Sequence, residues 1–104
     1  MVRKSYVVAN LEVITDREKF RDYERGLIKA LAKHGGTLLT FSDNVACLEG
    51  DSPPKGRLVV MEFPSQAHVD AWWADEDYQA ASNIRREHSV TNFIASLEEL
   101  PPRN

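Results

Sequence analysis

Only one cysteine, Cys47, occurs among the 104 residues. A second thiol is missing, which excludes an intrachain disulfide and a cysteine-based zinc site. Flanked by Ala46 and Leu48, the lone thiol reads as a small core residue. Positive charge is also in short supply, with 13 Lys and Arg against 16 Asp and Glu for a net charge of −3. No basic block stands out, so a nucleic-acid partner is not expected. No apolar run approaches the ~20 residues of a membrane span, so no membrane partner is expected either. Arg3 and Lys4 precede an apolar stretch, but Asn10 and Glu12 interrupt it too early for the core of a signal peptide. A cytoplasmic, bacterial-type protein is the expectation. His34, His68 and His88 show no metal-binding spacing. No nucleophile elbow or phosphate-cradling glycine loop appears. No cofactor and no metal are therefore expected.

What is present is an ordinary globular balance, 42% hydrophobic and 28% charged, which argues against disorder. The length suits one domain over residues 1–104, with a core at about 5–99 and a tail at 100–104. Ser5 to Ile14 alternates and is rich in β-branched residues, as a strand requires. Val7, Ala9, Leu11 and Val13 fall on one face; Tyr6, Val8, Asn10 and Glu12 fall on the other. Thr15 and Glu18 have capping-box spacing and predict a helix start. Phe20, Tyr23, Leu27 and Leu31 then recur at helical spacing, and His34-Gly35-Gly36 ends the helix. Thr37 to Ser42 predicts a second strand, with Asp43-Asn44 as a kink and Val45 to Leu48 continuing the pairing. The turn formers from Glu49 to Gly56 predict a loop. Arg57 to Phe63 is a third strand, with Leu58, Val60 and Glu62 on one face and Val59, Met61 and Phe63 on the other. Ser65 caps a second helix, Asp75 caps a restart of it, and Val90 to Glu98 forms the last strand.

This order, β-α-β-β-α-β, predicts an α+β ferredoxin-like sandwich, an antiparallel sheet with its helices on one face. Tyr6, Val8, Leu58 and Val60 would line the other face, too apolar to stay wet. No third helix is available to cover it. A homodimer through the open sheet face is the economical answer, because a two-fold interface uses one patch twice.

Several short motifs then carry a family resemblance. They are Tyr6-Val7-Val8-Ala9-Asn10, Gly35-Gly36, Leu48-Glu49-Gly50, Val59 through Ser65, Asp77-Tyr78-Gln79-Ala80-Ala81 and Ile84-Arg85. In this order and spacing, over about residues 5 to 99, the chain resembles the bacterial family known as domain of unknown function 1330. The resemblance implies a dimeric α/β barrel, in which two ferredoxin-like sheets close around each other. That superfamily also holds cofactor-independent monooxygenases, haem-degrading enzymes and muconolactone-isomerase-like proteins. The chain departs from the family pattern at Trp72-Trp73, at Asp75-Glu76-Asp77 and in its proline-ended tail.

Among candidate site residues, Glu62 alternates onto a face with Leu58 and Val60, where a carboxylate is uncommon. Burial would raise its pKa and suit it to acid–base work; an ion pair with Arg85 is the structural alternative. Asn10 would polarise a carbonyl or, structurally, make a cross-strand hydrogen bond. Arg85 offers a fork for a carboxylate ligand, or equally for Glu49 or Glu62. His88, just before the last strand, is the histidine placed to reach a cleft. Tyr23, Trp72, Trp73 and Tyr78 read as helix-face aromatics that pack the core or wall a ligand pocket. Two functions follow. One is a cofactor-free enzyme acting on a small organic molecule, anionic ones included, by proton transfer, isomerisation or oxygenation, with Glu62, Asn10 and His88 as catalytic candidates and Arg85, Tyr23, Trp73 and Tyr78 as ligand-binding ones. The other is a non-catalytic dimeric ligand-binding or assembly module.

Overall fold

A computed structural model describes residues 2–102; the last two residues of the expected 100–104 tail lie outside the described residues. Strand β1 (Ser5–Ile14) leads into helix α1 (Arg17–Lys33), followed by β2 (Thr37–Ser42) and β3 (Arg57–Phe63). Helices α2 (Gln66–Ala74) and α3 (Glu76–His88) precede β4 (Ser89–Glu98). All pairings are antiparallel, in the order β2-β3-β1-β4. This is the α+β ferredoxin-like fold, with the helices on one face of a four-stranded sheet.

Alternation decides which side chains meet the helices. Val7, Ala9 and Leu11 of β1 join Val59, Met61 and Phe63 of β3 beneath Phe20, Leu27 and Leu31 of α1. Val13 breaks the expected alternation and is 49% exposed. The cause is a pair of register shifts between β1 and β4, at Asn10/Leu11 and Leu11/Val13, which turn the end of β1 away from the core. A second irregularity between Leu38 and Thr40 leaves Leu39 as an extra residue in β2.

Asp16, rather than Thr15, caps α1: its carboxylate accepts from the Lys19 amide at 3.0 Å. A carboxylate beside the positive helix end serves better than a hydroxyl. Asp75 ends α2 and caps α3 by accepting from the amides of Asp77 and Tyr78. The interval Val45 to Leu48 makes no strand; β2 ends at Ser42 and an irregular loop runs on to Gly56. The cysteine in that loop, Cys47, is exposed, not a core residue, because the strand that would have buried it does not form. Gly56 closes the loop at φ +71°, and a Cβ there would sit 2.3 Å from the Glu12 carbonyl oxygen.

The molecule is a thin plate, with principal extents of 47 × 38 × 16 Å and a radius of gyration of 14.4 Å. A chain of this length packed into a sphere-like domain would have a radius nearer 13 Å. On the sheet face away from the helices, the register sets Tyr6, Val8, Leu58 and Val60 beside Phe93, Ala95 and Leu97. Among the described residues, no helix covers that face, and no helix is long and apolar enough to cross a membrane.

Candidate functional site

Helices α1 and α3 approach most closely where Gly26 meets Ala81; a Cβ on Gly26 would lie 2.6 Å from the Ala81 Cβ. Tyr23 precedes Gly26 by three residues and Tyr78 precedes Ala81 by three, so both tyrosines stand one turn from the crossing. Their hydroxyls are 2.8 Å apart, and both rings are buried. Trp72 stacks 4.5 Å from Tyr78, and the Arg85 guanidinium lies 5.6 Å over the Tyr23 ring. Beneath this group, against Leu11, Met61 and Ile94 of the sheet, is a cavity of about 50 Å³. One water needs about 10–15 Å³ of such space, so the cavity admits a few small-molecule atoms rather than a large ligand.

At its inner end the cavity is lined by N–H and O–H groups, with Glu24 as the carboxylate in its wall. Arg85 is 3% exposed and forms one side-chain hydrogen bond, from Nη1 to the Thr91 hydroxyl at 2.9 Å. Among the described residues no carboxylate pairs with it. Its Nε and the Nε1 of Trp72 are buried without a partner. The two tyrosine hydroxyls share one hydrogen bond, which leaves one O–H hydrogen over. Burial, and then the neighbouring Tyr78, push the Tyr23 phenol well above its ordinary pKa, with Arg85 opposing. Tyr23 is thus a neutral donor at physiological pH, not a phenolate base. A buried cation without a carboxylate, beside a second donor that lacks an acceptor, is costly unless something negative fills the gap.

A second arginine lines the same cavity in a different state. Arg57 holds Asp43 through Nε at 2.8 Å and Nη2 at 3.0 Å, and Glu24 through Nη1 at 3.3 Å. Its guanidinium lies 4.5 Å over the Phe41 ring and 6.0 Å from that of Phe20. The hydrogen bonds from Arg57 hold the Asp43 carboxyl below the ordinary carboxylate range.

The expected site residues divide. Arg85, Tyr23 and Tyr78 come together in the cavity. Trp73, 41% exposed, lines a separate groove of about 330 Å³ beside Val69, Asp70 and Ser96, which shares Trp72 and Ile94 with the cavity. Glu62 does not join them and is not paired with Arg85. It lies on the opposite sheet face with Lys4 Nζ at 3.2 Å, because alternation sends residues 58, 60 and 62 away from the helices. Asn10 is also apart from Glu62 and the cavity. Its amide donates to the carbonyls of Lys55 at 2.8 Å and Arg57 at 3.0 Å, and its oxygen accepts from Asn92 at 3.1 Å. Both amide hydrogens are spent on the main chain, leaving none for a ligand. His88 ends α3, its carbonyl accepting from the Thr15 amide, and does not line the cavity. Glu49, the other partner considered for Arg85, lies in the exposed loop.

Arg57 and the indole N–H of Trp72 escaped the reading of the sequence as site groups. Arg57 carried a signal: it shares the strand face of Val59, Met61 and Phe63, where a charged residue stands out. The described residues contain no cluster of His, Cys, Asp and Glu able to hold a metal.

A family model, "Domain of unknown function (DUF1330)", matches residues 4–96. No curated protein matches the chain. Among solved structures it is similar to a protein of unknown function from Rhodopseudomonas palustris, with TM-score 0.73 and 17% identity over 98% of this chain and 86% of that one. A dimeric ferredoxin-like protein of unknown function from Jannaschia aligns at TM-score 0.68 and 17% identity, covering 92% and 99% of the two chains. More distant is SnoaB, a cofactor-independent oxygenase from Streptomyces nogalater, at TM-score 0.53 and 7% identity over 98% and 97%. At these identities the likeness is one of fold.

Proposed function

The chain belongs to the DUF1330 family, within the dimeric α/β-barrel superfamily, and from that premise we propose that it binds a small organic monoanion in the cleft between α1, α3 and the sheet. The observation that carries this reading is Arg85, buried and without a carboxylate partner, with its own Nε and the nearby Trp72 indole N–H both lacking an acceptor. Arg85 holds the anionic group, Trp72 and the Tyr23–Tyr78 pair donate to its oxygens, and the aromatic rings wall the carbon skeleton. The cavity volume favours acids of a few carbons. Donors that hold a carboxylate also stabilise an enolate, the charge that develops when a proton leaves the carbon beside a carbonyl. Cofactor-free exchange of that proton with solvent water, or isomerisation by its return to another atom of the substrate, is the enzymatic form of this reading. The described oxygenase SnoaB supplies a fold-level analogy only. The second reading, a binding module without turnover, is favoured by Tyr23, which is held protonated and so supplies no base. In either form the protein works as a homodimer joined through the apolar sheet face.

Calorimetric titration with butyrate and 2-oxobutyrate tests the binding. Saturable, one-site binding lost in Arg85→Met supports the cleft; binding unchanged in that variant refutes it. Proton NMR of 2-oxobutyrate in heavy water separates the two forms. Protein-dependent exchange of its C3 protons, weakened in Tyr23→Phe, marks an enzyme, and binding without exchange marks a module.

A further inference from the structure

The two arginines of the cleft differ in a way that bears on what the ligand carries at its far end. They bracket one aromatic pair: Arg57 lies 6.0 Å from the Phe20 ring, Phe20 lies 5.2 Å from Tyr23, and Arg85 lies 5.6 Å over Tyr23. Both line the same cavity. At the inner end Arg85 has no carboxylate. At the outer end, where Glu24 is 41% and Phe41 47% exposed, Arg57 is held by two carboxylates. Asp43 takes it in a two-pronged grip and Glu24 takes a third N–H. One guanidinium charge therefore faces two carboxylates there, with Arg17 only loosely beside Asp43 at 3.7 Å. Glu24 is itself a wall of the cavity.

We propose that Glu24, backed by Asp43, makes this cleft selective for monoanions over dianions. This rests on the reading of Arg85 as the anion anchor. A ligand with one carboxylate delivers it to Arg85 and presents an uncharged end to the outer arginine. A ligand with a second carboxylate brings that charge toward Glu24 and toward a guanidinium three of whose five N–H groups are already taken by carboxylates. Two carboxylates already hold that guanidinium, so the newcomer must displace an acidic side chain or accept like-charge contact, and both weaken binding. Without Glu24 and Asp43, Arg57 would offer a second free guanidinium to an anionic ligand; the two acids occupy it.

Butyrate and succinate test the idea, since they match in chain length and differ in one terminal group. Wild type is expected to bind butyrate at least tenfold more tightly than succinate. Glu24→Gln keeps the shape of a partly exposed side chain and removes the charge. It should narrow the ratio by about tenfold while leaving the butyrate dissociation constant within about threefold. Asp43→Asn, on a different element, should shift the ratio in the same direction, so the test does not depend on one variant. Equal affinities in wild type, or a ratio unmoved by both substitutions, overturns the selectivity while leaving the anion site standing. Failure of wild type to bind either acid overturns the anion site and the selectivity together.

Discussion

Arg85 and Asn10 are both polar and both buried, yet their environments assign them opposite roles. Asn10 has an acceptor for each amide hydrogen and a donor for its oxygen, so it ties β1 to the end of the long loop and to β4. Asn10→Ala strands two main-chain carbonyls and is expected to cost about 1–3 kcal/mol in chemical denaturation, with ligand affinity in the surviving folded protein unchanged. Glu62, with Lys4 beside it and a quarter of its side chain exposed, is a sheet-face ion pair worth little by itself. That Glu62 and Asn10 leave the helix side was legible in the alternation of β1 and β3. That Arg85 lacks a partner was not, because pairing depends on which carboxylates the fold brings near. Composition and spacing carry no information on that.

The helices set the geometry of the site through their crossing and their joint. Gly26 admits α3 so closely that Tyr23 and Tyr78 touch. Gly26→Val is expected to cost about 1–3 kcal/mol by overpacking and to weaken monoanion binding by parting the hydroxyls, a pair of effects that thermal melts and titrations read separately. At the α2–α3 joint, Asp75 takes Lys33 Nζ at 2.9 Å, His34 Nε2 at 2.7 Å and the amides of Asp77 and Tyr78. Lys33 first and His34 next hold its carboxyl far below the ordinary value of 3.8. The folded state therefore binds this proton more weakly than the unfolded chain. The stabilisation is complete above about pH 4 and is lost as the solution is acidified further. Asp75→Asn keeps the cap acceptor and drops the charge. Its melting temperature should fall less steeply than that of wild type between about pH 4 and pH 2. The break at Asp75 was readable, since an N-cap residue in mid-helix announces a restart. Its clasp on the end of α1 was not, because Lys33 and Asp75 are distant in sequence. The misplaced strand at Val45 to Leu48 has a similar cause: β-branched and apolar residues favour pairing only where a neighbouring strand is in reach.

The whole molecule is a plate with one covered and one open face. Tyr6, Val8, Leu58 and Val60 are only half-buried in the single chain, and Phe93 and Leu97 beside them are more exposed still. Sedimentation is expected to show a dimer at micromolar concentration, and Val60→Lys a monomer; a monomeric wild type refutes the shared face. The fold, the layer order and the open face were all legible, because they follow from periodicity and element order. The cleft was legible only in part: its aromatics and Arg85 were readable as candidates, whereas the carboxylate-held Arg57 and the unsatisfied indole N–H of Trp72 emerge only when the layers are assembled. If the fold keeps Arg85 unpaired for a ligand at some expense in stability, the thermal melt of Arg85→Met, without and with butyrate, is where that shows. Replacing an uncompensated buried charge by an apolar side chain of similar length is expected to be neutral or stabilising by about 1–4 kcal/mol. The variant should melt at or above the wild-type temperature with no further rise on adding butyrate, which does raise that of wild type. A fall of roughly 5 °C or more, about 1 kcal/mol for a domain of this size, together with a butyrate response equal to that of wild type, would show Arg85 to be a structural residue and contradict the account.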